Sequence, residues 1–137
     1  MFQNPSEDEI RRFILSIKRV AVVGLSPKAD RPSHRVAAAL QRFGHDIVPV
    51  RPAVAEVLGQ PAYATLDQVP GAIDLVDVFR KPDEVDALVD ECIRLKLPAI
   101  WLQEGVINPS AAERARAAGL FVVMDRCIYR DYMALCV

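Results

Sequence analysis

Val20-Ala21-Val22-Val23-Gly24-Leu25-Ser26 is an apolar run, rich in valine, that stops on a glycine and a serine. Four further runs end in similar punctuation. Ile47-Val48-Pro49-Val50 meets Arg51-Pro52, and Leu75-Val76-Asp77-Val78-Phe79 meets Arg80-Lys81-Pro82. Ala99-Ile100-Trp101-Leu102 meets Gln103-Glu104-Gly105, and Phe121-Val122-Val123-Met124 meets Asp125-Arg126-Cys127. Short β-rich runs alternating with helical stretches read as βαβ units of a parallel sheet. The carboxyl ends of all such strands lie along one edge, and ligands bind outside that edge. The residues that follow the runs are therefore expected to converge on one site.

The intervening stretches carry helix signals. Ser6-Glu7-Asp8-Glu9 fits a capping box, followed by Ile10, Phe13, Ile14 and Ile17 at helical spacing. Ser33 is placed to cap a second helix with Val36, Leu40 and Phe43 on one face, ended by Gly44. Pro82 opens a third, and Asp83, Glu84 and Asp86 suit its positive end. Asn108-Pro109 opens an alanine-rich fourth that Gly119 ends. Residues 51–71 are the least regular, with helical turns expected near Ala55 and Leu66. Strands are expected over Arg19–Gly24, Asp46–Val50, Asp74–Phe79, Ala99–Leu102 and Phe121–Met124.

The expected fold is α/β: a three-layer, Rossmann-like, doubly wound sheet of five parallel strands in order 3-2-1-4-5. The chain has 137 residues, which favours a single domain over residues 1–137, large enough for a core without disulfides. A 52% hydrophobic and 26% charged composition is that of a globular protein. The net charge of −1 offers no global attraction for nucleic acid or an anionic membrane. The cysteines are Cys92, Cys127 and Cys136, with neither a C-x-x-C pair nor a disulfide framework. With no signal peptide and no apolar run near 18 residues, a cytoplasmic location is expected.

After the first strand, Ser26, Lys28, Arg31, Ser33 and Arg35 follow Gly24 closely, against a single Asp30. Beside the N-terminus of the next helix, they suit an anion, most simply phosphate. The loop lacks G-x-G-x-x-G, and the second strand ends on Arg51 where a dinucleotide fold puts a carboxylate for the ribose. An arginine there suits a phosphorylated ribose, as in NADP or the 3′-phospho-ADP of coenzyme A. Arg80 and Lys81 are either phosphate contacts or solvated charge. Gly105 is either a point of close ligand approach or a plain turn. Trp101 and Cys92 are expected in the core. Arg126 beside Cys127 either lowers that thiol's pKa or flanks a buried, inert cysteine.

Taken together, the strand ends resemble the small CoA-binding domain proteins, single-domain relatives of the CoA-binding domain in the α subunit of succinyl-CoA synthetase. The matching pieces run in order. They are Val20-Ala21-Val22-Val23-Gly24-Leu25-Ser26-Pro27-Lys28 with Arg31-Pro32-Ser33, Pro49-Val50-Arg51-Pro52 and Asp74-Leu75-Val76-Asp77-Val78-Phe79-Arg80. Trp101-Leu102-Gln103-Glu104-Gly105-Val106 and Val123-Met124-Asp125-Arg126-Cys127-Ile128 complete the set. The resemblance implies coenzyme A or an acyl-CoA as ligand. Gly24, Leu25, Ser26 and Lys28 would meet the pyrophosphate, Arg51 and Pro52 the ADP part, and Phe79, Arg80, Gln103 and Gly105 the remaining path. Two features depart from the family pattern: Arg51 stands where Asn is usual, and residues 129–137 do not read as the usual ending.

The leading expectation is a binding protein with no chemistry of its own. Thiol or acyl exchange through Cys127, and NAD(P) binding in a redox sensor, are the alternatives. The apolar tail packs either on the body or on a second subunit, and the habit of the family makes a homodimer one of the assemblies left open.

Overall fold

A computed structural model describes residues Met1–Val137. Helix α1 (Glu7–Ser16) starts on the expected capping box, in which Ser6 and Glu9 exchange hydrogen bonds of 3.1 Å. The parallel sheet contains β1 (Arg19–Val23), β2 (Asp46–Val50), β5 (Leu75–Val78), β6 (Ala99–Leu102) and β7 (Phe121–Met124). Between β2 and β5 lies a hairpin of β3 (Glu56–Val57) and β4 (Gln60–Pro61). Helices α2 (Pro32–Arg42), α3 (Val85–Arg94), α4 (Pro109–Ala117) and α5 (Ile128–Asp131) complete the chain, with a final π turn over Tyr132–Cys136.

The strands alternate faces, so their side chains divide into two cores. Val20, Val22, Leu75, Trp101 and Val123 pack with Ile10 and Ile14 of α1, Val36 and Leu40 of α2, and Ile128 of α5. Val76, Val78, Ile100, Leu102 and Val122 pack with Val85, Val89 and Cys92 of α3 and with Ala111, Ala112 and Ala115 of α4. The three-layer α/β fold is thus as expected, and Trp101 and Cys92 are both core residues. The Trp101 indole escapes an unmet donor by giving its N–H to the carbonyl of Arg126 at 2.7 Å. At about 25 cal/mol per Å² of apolar surface, side chains this large dominate the energy of such cores.

The order along the sheet is β2-β1-β5-β6-β7. Counting only the long strands this is 2-1-3-4-5: the third strand lies beside the first and not outside the second. Two local features produce this. The slot outside β2 is filled by Tyr63, whose N–H donates to the Pro49 carbonyl and whose carbonyl accepts from Arg51. The entry to β5 is tied to the start of β1: Asp74 Oδ2 accepts the backbone N–H groups of Lys18 and Arg19 at 3.0 and 2.9 Å. The Arg19 guanidinium in turn donates to the carbonyls of Pro70 and Ala72. The winding direction therefore reverses between β1 and β5, and the crevice opens there.

Two smaller expectations are corrected. Ser33 does not cap α2; the helix begins at Pro32, with Arg31 at the cap position and no side-chain cap. Near Ala55 the chain forms the β3–β4 hairpin, not a helical turn, whereas the turn at Leu66–Gln68 is present. At the far edge of the sheet Asn4 pairs with β7: its side chain both donates to and accepts from the backbone of Met124, at 2.9 and 2.8 Å. The tail after β7 packs on the body, with Tyr132 stacked on Phe43 at 3.8 Å between ring centroids. No helix is long and apolar enough to cross a membrane.

Candidate functional site

At the reversal the turns that leave β1 and β5 touch. Gly24 has φ +86, and a Cβ on it would lie 2.2 Å from the Phe79 carbonyl oxygen. Only glycine permits both that backbone conformation and that approach. Gly24 N–H donates to the Val50 carbonyl and Phe79 N–H to that of Val23, so the ends of β1, β2 and β5 form one floor.

Over this floor lies an open cleft of about 990 Å³. It includes Gly24, Arg51, Pro52, Phe79, Arg80, Lys81, Gln103 and Cys127 of the expected site residues. Ser26, Lys28, Arg31 and Ser33 line an adjoining hollow of about 340 Å³ that shares Gly24, Arg51 and Phe79 with the cleft. The β1–α2 loop is wound on itself: the Ser26 N–H donates to Ser33 Oγ at 3.0 Å, and the Lys28 N–H to Ser26 Oγ at 3.1 Å. Ser33 thus holds the loop against the start of α2. That helix has neither a side-chain cap nor an acidic residue in its first turn, so its N-terminal dipole is uncompensated by the protein.

Three expected site residues stand outside the cleft. The Leu25 side chain is fully buried in the core below the loop. The Gly105 N–H is taken by Asp125 Oδ1 at 2.8 Å, although Glu104 and Val106 on either side line the cleft. Arg126 turns away to Asp131, at 2.7 and 2.8 Å, and to Glu7 at 3.2 Å. It therefore does not activate Cys127. Burial pushes the Cys127 thiol up from its ordinary value, against weaker lowering by hydrogen bonds from the backbone of Arg130 and Tyr129.

Tyr129 and Arg130 also line the cleft, a role that sequence reasoning missed. The available signal was their place directly after the fifth strand end. Arg130 is paired with Glu104, and Arg80 with Glu84. The Arg80 hydrogen bond holds the Glu84 carboxyl below its usual range. Both cleft carboxylates are thus neutralised. Lys28, Arg31, Arg35, Arg51 and Lys81 line the combined space and form no ion pair. The surplus of positive charge is local, in a chain whose net charge is −1. On the far side of the Arg80–Glu84 pair a second hollow of about 670 Å³ has Val50, Leu66 and Leu88 in its walls.

The chain is similar to known proteins over nearly its whole length. It is 40% identical to the uncharacterized protein YneT of Bacillus subtilis, over 92% of this chain and 93% of that one. A structure of a hypothetical protein from Pyrococcus horikoshii superposes with a TM-score of 0.93 at 31% identity, covering 100% of this chain and 99% of that one. A segment of the ADP-forming acetate–CoA ligase I of Archaeoglobus fulgidus is 31% identical, over 56% of this chain but only 11% of the ligase. Residues 18–133 match the model of the CoA binding domain. With the strand-end cleft and its unpaired cations, that match makes this chain a member of the CoA-binding domain family.

Proposed function

We propose that the cleft binds coenzyme A or an acyl-CoA and that the chain catalyses no reaction alone. The observation that carries this is the set of cations without carboxylate partners around an uncapped helix N-terminus. Coenzyme A brings a pyrophosphate and a 3′-phosphate, which fit that surplus. The pyrophosphate lies against the start of α2 with Lys28 and Arg31, and Arg51 takes the 3′-phosphate. The adenine lies over Pro52, toward the apolar walls of the second hollow. The pantetheine arm runs past Phe79 and Gln103 to Cys127. The cleft is at the upper end of the usual range of about 300–1,000 Å³, as an elongated ligand requires. A thiol raised by burial is a poor nucleophile, which favours binding over exchange at Cys127.

The test is calorimetry with CoA, dephospho-CoA and NADP against the wild type and Arg51→Ala. Wild type should bind CoA most tightly. Loss of the 3′-phosphate or of the Arg51 guanidinium should each weaken binding roughly ten- to a hundredfold, with little further loss when combined. Preference for NADP over CoA would overturn the proposal.

A further inference from the structure

Asp77 lies in the middle of β5, paired across the sheet with Val22 of β1 and Trp101 of β6. It is fully buried. Its Oδ1 accepts a hydrogen bond of 2.6 Å from Nε2 of Gln103. Its Oδ2 is sealed from solvent and has no partner. Such an oxygen is costly, and an apolar residue would serve the sheet better. The only side chain that Asp77 does bind belongs to the cleft. Gln103 lines it, 3% exposed, with its backbone N–H held by the Val78 carbonyl.

An ionised carboxylate only accepts hydrogen bonds. It must therefore take the NH2 end of the Gln103 carboxamide. The opposite end, Oε1, has no protein partner and is not among the sealed oxygens, so it is left to the cleft. We propose that Asp77 is a positioning residue that turns the Gln103 carboxamide oxygen into the cleft, so that the ligand must bring a hydrogen-bond donor there. This rests on the cleft being a CoA site, and the pantetheine arm offers amide N–H groups and, unacylated, a thiol.

The constraint is lost when Asp77 is protonated. The acid then carries both an O–H donor and a carbonyl acceptor, so it no longer dictates which end of the carboxamide faces the cleft. Burial raises the Asp77 carboxyl to about 7, against the hydrogen bond from Gln103 and a smaller lowering by the nearby Val78 backbone, and no charged group contributes. Its cross-strand neighbours Val22 and Trp101 are apolar. Of the cleft's charged groups, Arg80 is paired with Glu84 and Arg130 with Glu104. Arg35, Arg51, Lys81 and the Cys127 thiol line the cleft without bonding Asp77.

Asp77→Asn and Asp77→Leu test this. Asparagine offers both an oxygen and an NH2 group and no longer dictates the orientation. At pH 8 both variants should bind CoA roughly three- to tenfold more weakly than wild type. From pH 8 to 6 the wild-type affinity should fall more than that of Asp77→Asn, which shares every other titration, the ligand's phosphates included. Equal affinities with parallel pH profiles would overturn the proposal. In the ligand-free protein the Gln103 side-chain amide NMR signals should move with pH around 7 and stay fixed in Asp77→Asn. Signals that stay fixed in both would overturn it equally. If the wild type binds no CoA, the proposed ligand fails, and the NMR titration alone decides the positioning. If Asp77→Leu does not fold, Asp77→Asn carries both arms.

Discussion

Asp77 also writes a pH dependence into stability. Its carboxyl is raised from 3.8 to about 7 in the folded protein, so the native state holds the proton more tightly than the unfolded chain. Stability from this group therefore falls as pH rises from about 4 toward 7, and it stays low above that. Asparagine does not titrate. Asp77→Asn should match wild type near pH 4 and exceed it by on the order of 2 kcal/mol at pH 8, measured by urea unfolding. An advantage that does not grow with pH would contradict the burial argument. Asp77 was visible in the sequence as the lone acid of an apolar run, but its partner is distant in the chain. Only the pairing of β5 with β6 brings Gln103 to it. Arg126 shows the same limit: adjacency to Cys127 left both an activated and an inert thiol open, and only the fold hands the guanidinium to Asp131.

At the scale of elements, the strand ends were legible within about a residue because each apolar run stops at a glycine, a charged residue or, after Leu102, a glutamine. The strand order was not. The stretch between β2 and β5 carries no helix to mark a crossover, and the bonds from Asp74 and Tyr63 that choose the neighbours are long-range. The start of α2 was also displaced, because Ser33 serves the Ser26 N–H and not its own helix end. The meeting of the β1 and β5 turns depends on Gly24. Gly24→Ala adds a Cβ into the Phe79 carbonyl and strains a φ of +86. It should cost at least about 2 kcal/mol in thermal or urea unfolding and weaken CoA binding by parting the two turns. Unchanged stability would mean that the turns are free to separate.

For the whole molecule, a net charge of −1 hid a cleft in which the positive groups outnumber their partners. The sequence located most of these groups after their strands, but not which carboxylates were already committed. A ligand held mainly by its phosphates stabilises the fold by mass action. CoA at a hundred times its Kd should raise Tm by roughly 8–15 °C. That gain should shrink as salt rises from 50 to 500 mM. A Tm indifferent to CoA would mean that the folded state does not engage it.

The tie between Asn4 and Met124 has a counterpart at the opposite rim, where Tyr63 occupies the outer side of β2. A parallel sheet of this kind is otherwise a ladder open at both ends, on which an extended segment of another chain can be hung. Here one rim is closed by backbone and the other is a stub of four residues whose last rung is already spoken for. Growth by adding strands meets an occupied position at each rim. A further strand would first have to displace Tyr63 from one rim or Asn4 from the other, which makes the sheet poor ground for edge-to-edge aggregation.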